Sequence, residues 1–169
     1  MTWLPFDLHP EYPREGIPRS QLHARYGEAF HDRLRQRFAE QGLVYNPPPE
    51  VVPNTMQALR VTELARERGL HARVHDRLMD AYWAEARNIG DPDELTALAV
   101  EAGLDQADVR AVIEGDAYRD VVAGLTAQAV SIGITGVPAF LLDRRLLVLG
   151  AQPRAVFEQA LSEARQDGS

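Results

Sequence analysis

No cysteine and no lysine occur anywhere in the 169 residues. The first absence removes disulfides, thiolate metal sites and cysteine nucleophiles from this chain, and with them any mark of the redox compartment. The second means that all 18 basic residues are arginine, which suits bidentate contacts with carboxylates and phosphates but also fits a coding bias that favours Ala. Acidic residues outnumber basic ones, 25 to 18, giving a net charge of −7 and a pI of about 5.2, so a nucleic-acid footprint is not expected. No run approaches the roughly 20 apolar residues of a membrane helix. Met1–Asp7 has neither the basic flank nor the apolar stretch of a signal peptide. The expectation is a soluble, cytoplasmic protein with no membrane partner.

What is present is ordinary globular composition, 45% hydrophobic and 25% charged, in a chain long enough for one domain with a large insertion. Trp3 to Leu8 reads as a short strand. Successive prolines from Pro10 to Pro18 then exclude regular structure. Ser20 is placed to cap a helix from Gln21 to about Gln41, with Leu22, Tyr26, Phe30, Leu34 and Phe38 on one face and Gly42 at its stop. Val44 to Pro53 is an extended, proline-stiffened segment.

Five helices are expected next, at about 54–68, 71–86, 92–102, 105–114 and 116–132. Gly69, the Asn88–Asp91 stretch, Gly103 and Gly115 supply the breaks. Asp91 before Pro92 is an N-cap followed by proline at the first helical position. Asp105 to Asp108 resembles a capping box in its weaker, aspartate form. The period then changes: Pro138–Leu142 and Leu146–Leu149, around Asp143–Arg145, read as a buried hairpin. Gly150 and Pro153 lead into a last helix with Val156, Phe157, Ala160 and Leu161 on its apolar face. This order, strand, helices, hairpin, helix, is α/β with a helical insertion.

Three blocks carry a resemblance. Ala129-Val130-Ser131-Ile132-Gly133-Ile134-Thr135-Gly136-Val137-Pro138-Ala139-Phe140, with Gly150-Ala151-Gln152-Pro153, is the strongest. Trp3-Leu4-Pro5-Phe6-Asp7-Leu8-His9-Pro10 is the second. The third comprises Pro53-Asn54-Thr55, Ala58 and Arg60, then Leu78–Trp83 and Ile89-Gly90-Asp91. In family order, these resemble the DsbA-like thioredoxin-fold family that includes FrnE, dithiol-disulfide isomerases and 2-hydroxychromene-2-carboxylate isomerases.

The resemblance implies a thioredoxin-like, DsbA-type α/β fold. An incomplete domain over 1–53 and 129–169 would hold a helical insertion over 54–128. It implies a cis proline at Pro138, with Thr135, Gly136, Val137 and Pro138 forming one wall of a site for an extended peptide or glutathione; the plainer reading is a loop-to-strand turn. Asn54 would contact substrate or simply cap its helix. The family's C-x-x-C motif, or its Ser variant, sits on a first strand and helix that precede the Trp-x-Pro-Phe block. Here Met1 stands just before Trp3, so that unit is missing. Three remedies are open: direct pairing of the two exposed edges, a homodimer or other partner completing the sheet, or a start further upstream.

The implied activity is thiol–disulfide exchange, which this chain cannot perform without a thiolate. The alternatives are a glutathione-dependent isomerase or transferase and a non-catalytic binding or dimeric module. His71 and His75, four apart, could face one metal, but no third ligand is evident and a solvated helix face is the simpler reading. His9, His23 and His31 are scattered. Tyr82 and Trp83 read as core and interface residues.

Overall fold

The structure, a computed structural model, describes residues 1–46 and 49–166. Pro47 and Pro48, part of the proline-stiffened segment, and the last three residues lie outside the described residues, as do the side chains of His23, Tyr26, Glu28, Ala29, Phe30, His31 and Gln166.

Trp3–Leu8 is not a strand. A strand needs a partner ladder, and this segment is tied to helices instead. The Trp3 carbonyl accepts from Arg66 at 2.6 Å, and the Asp7 N–H donates to Thr126 Oγ1 at 3.0 Å. Conversely, the proline-rich turn contains regular structure that its composition hid. Ile17–Pro18 (β1) pairs antiparallel with Val51–Val52 (β2). Pro18 fits there because an edge strand needs no N–H on its open side.

The first long helix is two: Arg19–Tyr26 (α1) and Glu28–Glu40 (α2). Gly27 lies between them at φ +72°. Helix α1 already includes Ser20, so that residue is not its cap. Helix α2 ends as expected, with Gly42 left-handed and the Leu43 N–H returning to the Phe38 carbonyl at 2.9 Å, a Schellman closure.

The helical centre runs Met56–Glu67 (α3), His71–Trp83 (α4), Pro92–Glu101 (α5), Gln106–Glu114 (α6) and Arg119–Ser131 (α7). Helix α4 stops at Trp83, short of the expected 86, where Ala86 turns left-handed. Asp91 caps α5 through bonds from the Asp93 and Glu94 N–H groups. Asp105 likewise caps α6. Asp108, cast as the returning half of the capping box, instead accepts from Arg68 at 2.7 Å; that ion pair uses its charge across two helices. Helix α7 starts at Arg119 rather than 116, after Tyr118 at φ +62°. The Tyr118 hydroxyl donates to Glu67, and burial and that carboxylate push its pKa up to about 12.

One core cluster unites α3 to α6, built from residues such as Val61, Val74, Leu95, Leu98 and Val109, all fully buried. Exclusion of that apolar surface from water, at ~25 cal/mol per Å², holds the bundle.

Ala139–Leu142 (β3) and Leu146–Leu149 (β4) form a hairpin where one was expected, in the register Ala139↔Leu149 through Leu142↔Leu146. It is not buried as expected: only Val148 is, because the last helix covers one face alone. Asp143 and Arg144 are both left-handed and the Arg145 N–H closes on the Leu142 carbonyl, the turn whose twist matches paired strands. Arg154–Gln166 (α8) covers one face, with Phe157 edge-on to Phe140 at 4.9 Å. Val156 and Leu161, expected on its apolar face, are 40% and 44% exposed, while Phe157 and Ala160 are half-buried. Among the described residues no third strand pairs with β3 or β4, so the two edges do not close on each other.

Candidate functional site

The α7–β3 connection begins with a second Schellman closure. Gly133 is left-handed, and the N–H of buried Ile134 returns to the Ala129 carbonyl at 3.0 Å. That anchor directs the next residues outward. Thr135 and Pro138 are exposed, Gly136 is half-buried, and Val137 is 56% exposed. The Val137–Pro138 peptide bond is cis. The Pro138 carbonyl accepts from the Gly150 N–H at 2.8 Å, which joins the two strongest sequence blocks. Gly150 turns there at φ +78°, and Gln152 closes the corner by donating to the Leu149 carbonyl. Among the described residues no group hydrogen-bonds the N–H or C=O of Val137, so both backbone groups are left without a protein partner.

Asn54 is held by its own neighbours. Its Oδ1 accepts from the Met56 N–H at 2.9 Å, and its Nδ2 donates to the Tyr12 carbonyl at 2.7 Å. It therefore both steadies the first turn of α3 and holds the 9–16 turn over it. No hydrogen bond among the described residues connects Asn54 with Thr135–Pro138. What Asn54 does line is a cleft of about 250 Å³ with Arg14, Gln57, Glu114, Asp116 and Arg119, a group that sequence reasoning did not assemble.

Behind this cleft is Arg60, 1% exposed. Its Nε donates to the Ala117 carbonyl and its Nη2 to those of Val112 and Gly115. Val112 and Gly115 stand at the end of α6, where carbonyls lack intrahelical partners, and Ala117 lies in the link to α7. Burial, then the nearby Arg119, lowers the Arg60 pKa. It remains charged because guanidinium starts above 12.

Trp3 stacks on His75 at 5.2 Å, and His75 lies 5.9 Å from His71. Burial, then Arg66, depresses the His71 pKa. Among the described residues no three His, Cys, Asp or Glu side chains converge on a metal position. Tyr82, Trp83, Tyr45 and Phe38 form one aromatic cluster. No helix of the described residues is long and apolar enough to cross a membrane.

The helical bundle, the hairpin under α8 and the Val137–Pro138 corner find their match in a family model, the DSBA-like thioredoxin domain, over residues 1–162. The chain belongs to this DsbA-like thioredoxin-fold family, whose α/β architecture it shares. Among its relatives is the uncharacterized protein YwbO of Bacillus subtilis (strain 168), 30% identical over 168 residues, which are 98% of this chain and 82% of that protein. Among solved structures, the probable DsbA oxidoreductase SCO1869 from Streptomyces coelicolor superposes with a TM-score of 0.87 at 37% identity, over 95% of this chain and 73% of that one.

Proposed function

We propose that this chain is the substrate-holding part of a FrnE-like thiol–disulfide exchange protein, with Thr135, Gly136, Val137 and Pro138 as the wall that receives an extended peptide or a glutathione-like thiol. The observation that carries the reading is the open backbone of Val137, held at a fixed corner by the Gly150–Pro138 hydrogen bond. An extended peptide laid along it gains the paired backbone bonds of strand addition.

Exchange proceeds when a thiolate attacks one sulfur of a disulfide, forming a new S–S bond as the old one breaks and the second sulfur leaves as thiolate. With no cysteine in its 169 residues, this chain supplies the seat and not the nucleophile. A Ser-type relative would instead activate glutathione held at the same wall, the isomerase or transferase alternative.

The test is an amide-resolved NMR titration with reduced glutathione and, separately, with a blocked, extended Val/Thr-rich hexapeptide. Saturable shifts at Val137 and Ala139 with the peptide support exchange of protein substrates; shifts with glutathione alone support the isomerase alternative. No saturable shift at Val137 with either ligand overturns the wall, and insulin reduction above background overturns the passive role.

A second reading, a homodimer that completes the sheet, draws on the unpaired hairpin edges and on Leu141 and Leu149, each 45% exposed. Sedimentation velocity over a hundredfold concentration range tests it: a monomer throughout rejects the dimer.

A further inference from the structure

We infer that the cleft between the start of α3 and the α6–α7 junction is a binding site for a zwitterionic α-amino-acid group bearing an apolar side chain. None of its lining residues belongs to the Thr135–Pro138 wall, and it does not depend on the exchange reading.

The cleft is preformed by three side chains on one face of α3 and the residues just before it. Asn54 holds the turn that carries Arg14 through the Tyr12 carbonyl. Gln57 spans the floor by donating to the Ile113 carbonyl at 3.1 Å. Arg60 fixes the opposite wall through the Val112, Gly115 and Ala117 carbonyls. Gln57 and Arg60, three apart on α3, share a face, and Asn54 stands just before the helix. A site already held in shape loses little freedom when a ligand binds.

The charges on its rim are balanced but only half paired. Arg119 bonds Asp116 at 2.9 Å. Arg14 and Glu114 line the same cleft, and neither has an ion-pair partner among the described residues, nor do they pair with each other. One open cation and one open carboxylate facing a single small space match a ligand that carries both signs. A plain dianion would meet Glu114 and Asp116; a plain cation would meet Arg14, Arg119 and the buried charge of Arg60. Half-buried Met56 supplies the apolar contact in the lining, while Ile113 is buried and contributes the carbonyl that Gln57 holds. At about 250 Å³ the space is below the ~300–1,000 Å³ of sites for drug-sized ligands, which suits a single amino acid or the end of a short peptide.

Titrating the full chain with L-leucine, N-acetyl-L-leucine and L-leucinamide separates the contributions, followed by the amides of Gln57, Gly115 and Arg119. The expected order places leucine at least about tenfold tighter than either singly charged analogue, in line with the cost of one lost charge-assisted bond. Arg14→Ala and Glu114→Gln, both at exposed positions, should each erase most of that preference while leaving the unfolding midpoint unchanged. Leucyl-glycine, whose carboxylate is displaced from its ammonium, distinguishes a peptide end from a free amino acid as the source. No saturable shift with leucine, or N-acetyl-leucine binding as tightly as leucine, overturns the inference. So does leucine binding that both variants leave intact.

Discussion

The Gly150 amide donates to the Pro138 carbonyl at 2.8 Å, and Gly150 does so from a left-handed backbone at φ +78°. The corner that holds the Val137 backbone thus depends on a conformation that side chains resist. A Cβ at Gly150 meets nothing closer than Gln152 at 3.7 Å, so Gly150→Ala carries the backbone penalty alone, about 1–2 kcal/mol. The checks are a melting-point drop of a few degrees and accelerated amide exchange at Gly150. An unchanged melting point and an unchanged exchange rate would show that this corner bears no strain.

Gly16 offers a sharper contrast. An added Cβ there falls 2.3 Å from the Val52 carbonyl oxygen, on a backbone already at φ +81°. Gly16→Ala should cost more than about 2 kcal/mol and detach β1 from β2. Gly27→Ala, at φ +72° with nothing within 4 Å of the new Cβ, should cost only the conformational ~1–2 kcal/mol. Urea unfolding of the two variants side by side measures the difference; equal losses would rule out the steric account.

Removing Arg60 leaves three carbonyls at the α6–α7 junction without their donor. Arg60→Ala should destabilise by about 3 kcal/mol or more, read as a lower urea midpoint at constant slope. Arg60→Lys, with one ammonium in place of a fork, should recover part of this. A loss under ~1 kcal/mol in Arg60→Ala would mean that water replaces the guanidinium without penalty.

Burial raises the pKa of Asp7 above its ordinary 3.8, against a lowering bond from the His9 backbone. The sign follows from linkage. A raised folded-state pKa favours the protonated fold, so this contribution is complete below pH 3.8 and is lost as pH rises through the folded value. Asp7→Asn, neutral at every pH, should therefore be more stable than the parent at pH 7 and match it near pH 3. Chemical denaturation at the two pH values checks this; a variant that is less stable at pH 7 would show that the carboxylate's hydrogen bond outweighs its burial.

The elements most legible in the sequence are those specified by neighbours along the chain. Asp91 before Pro92, Gly42 after α2, and Asp143–Arg145 between two apolar runs each state their own geometry. The Ile17–Pro18 and Val51–Val52 ladder was hidden because two residues carry no period and proline argues against pairing. Trp3–Leu8 has strand-like residues, but strands are made by partners, and here Thr126 and Arg66 take the backbone groups. The Val137–Pro138 corner was readable from its flanking blocks. The cleft was not: Arg14, Gln57, Glu114 and Arg119 look like solvated side chains scattered along the chain, and only the fold brings them together. Arg60 stands out only as part of a family block; its burial is not legible, since nothing local separates a buried arginine from a solvated one.

The core cluster, Ala58 to Ile113, is drawn entirely from one unbroken stretch of chain. Its loop closures are short, so its contacts form early and at little entropic cost. The hairpin and α8 pack on one another outside that cluster. Among the described residues of β3, β4 and α8 only Val148 is buried, so amide exchange there should be faster than in the core cluster, and the Val137 corner is attached to the less buried side.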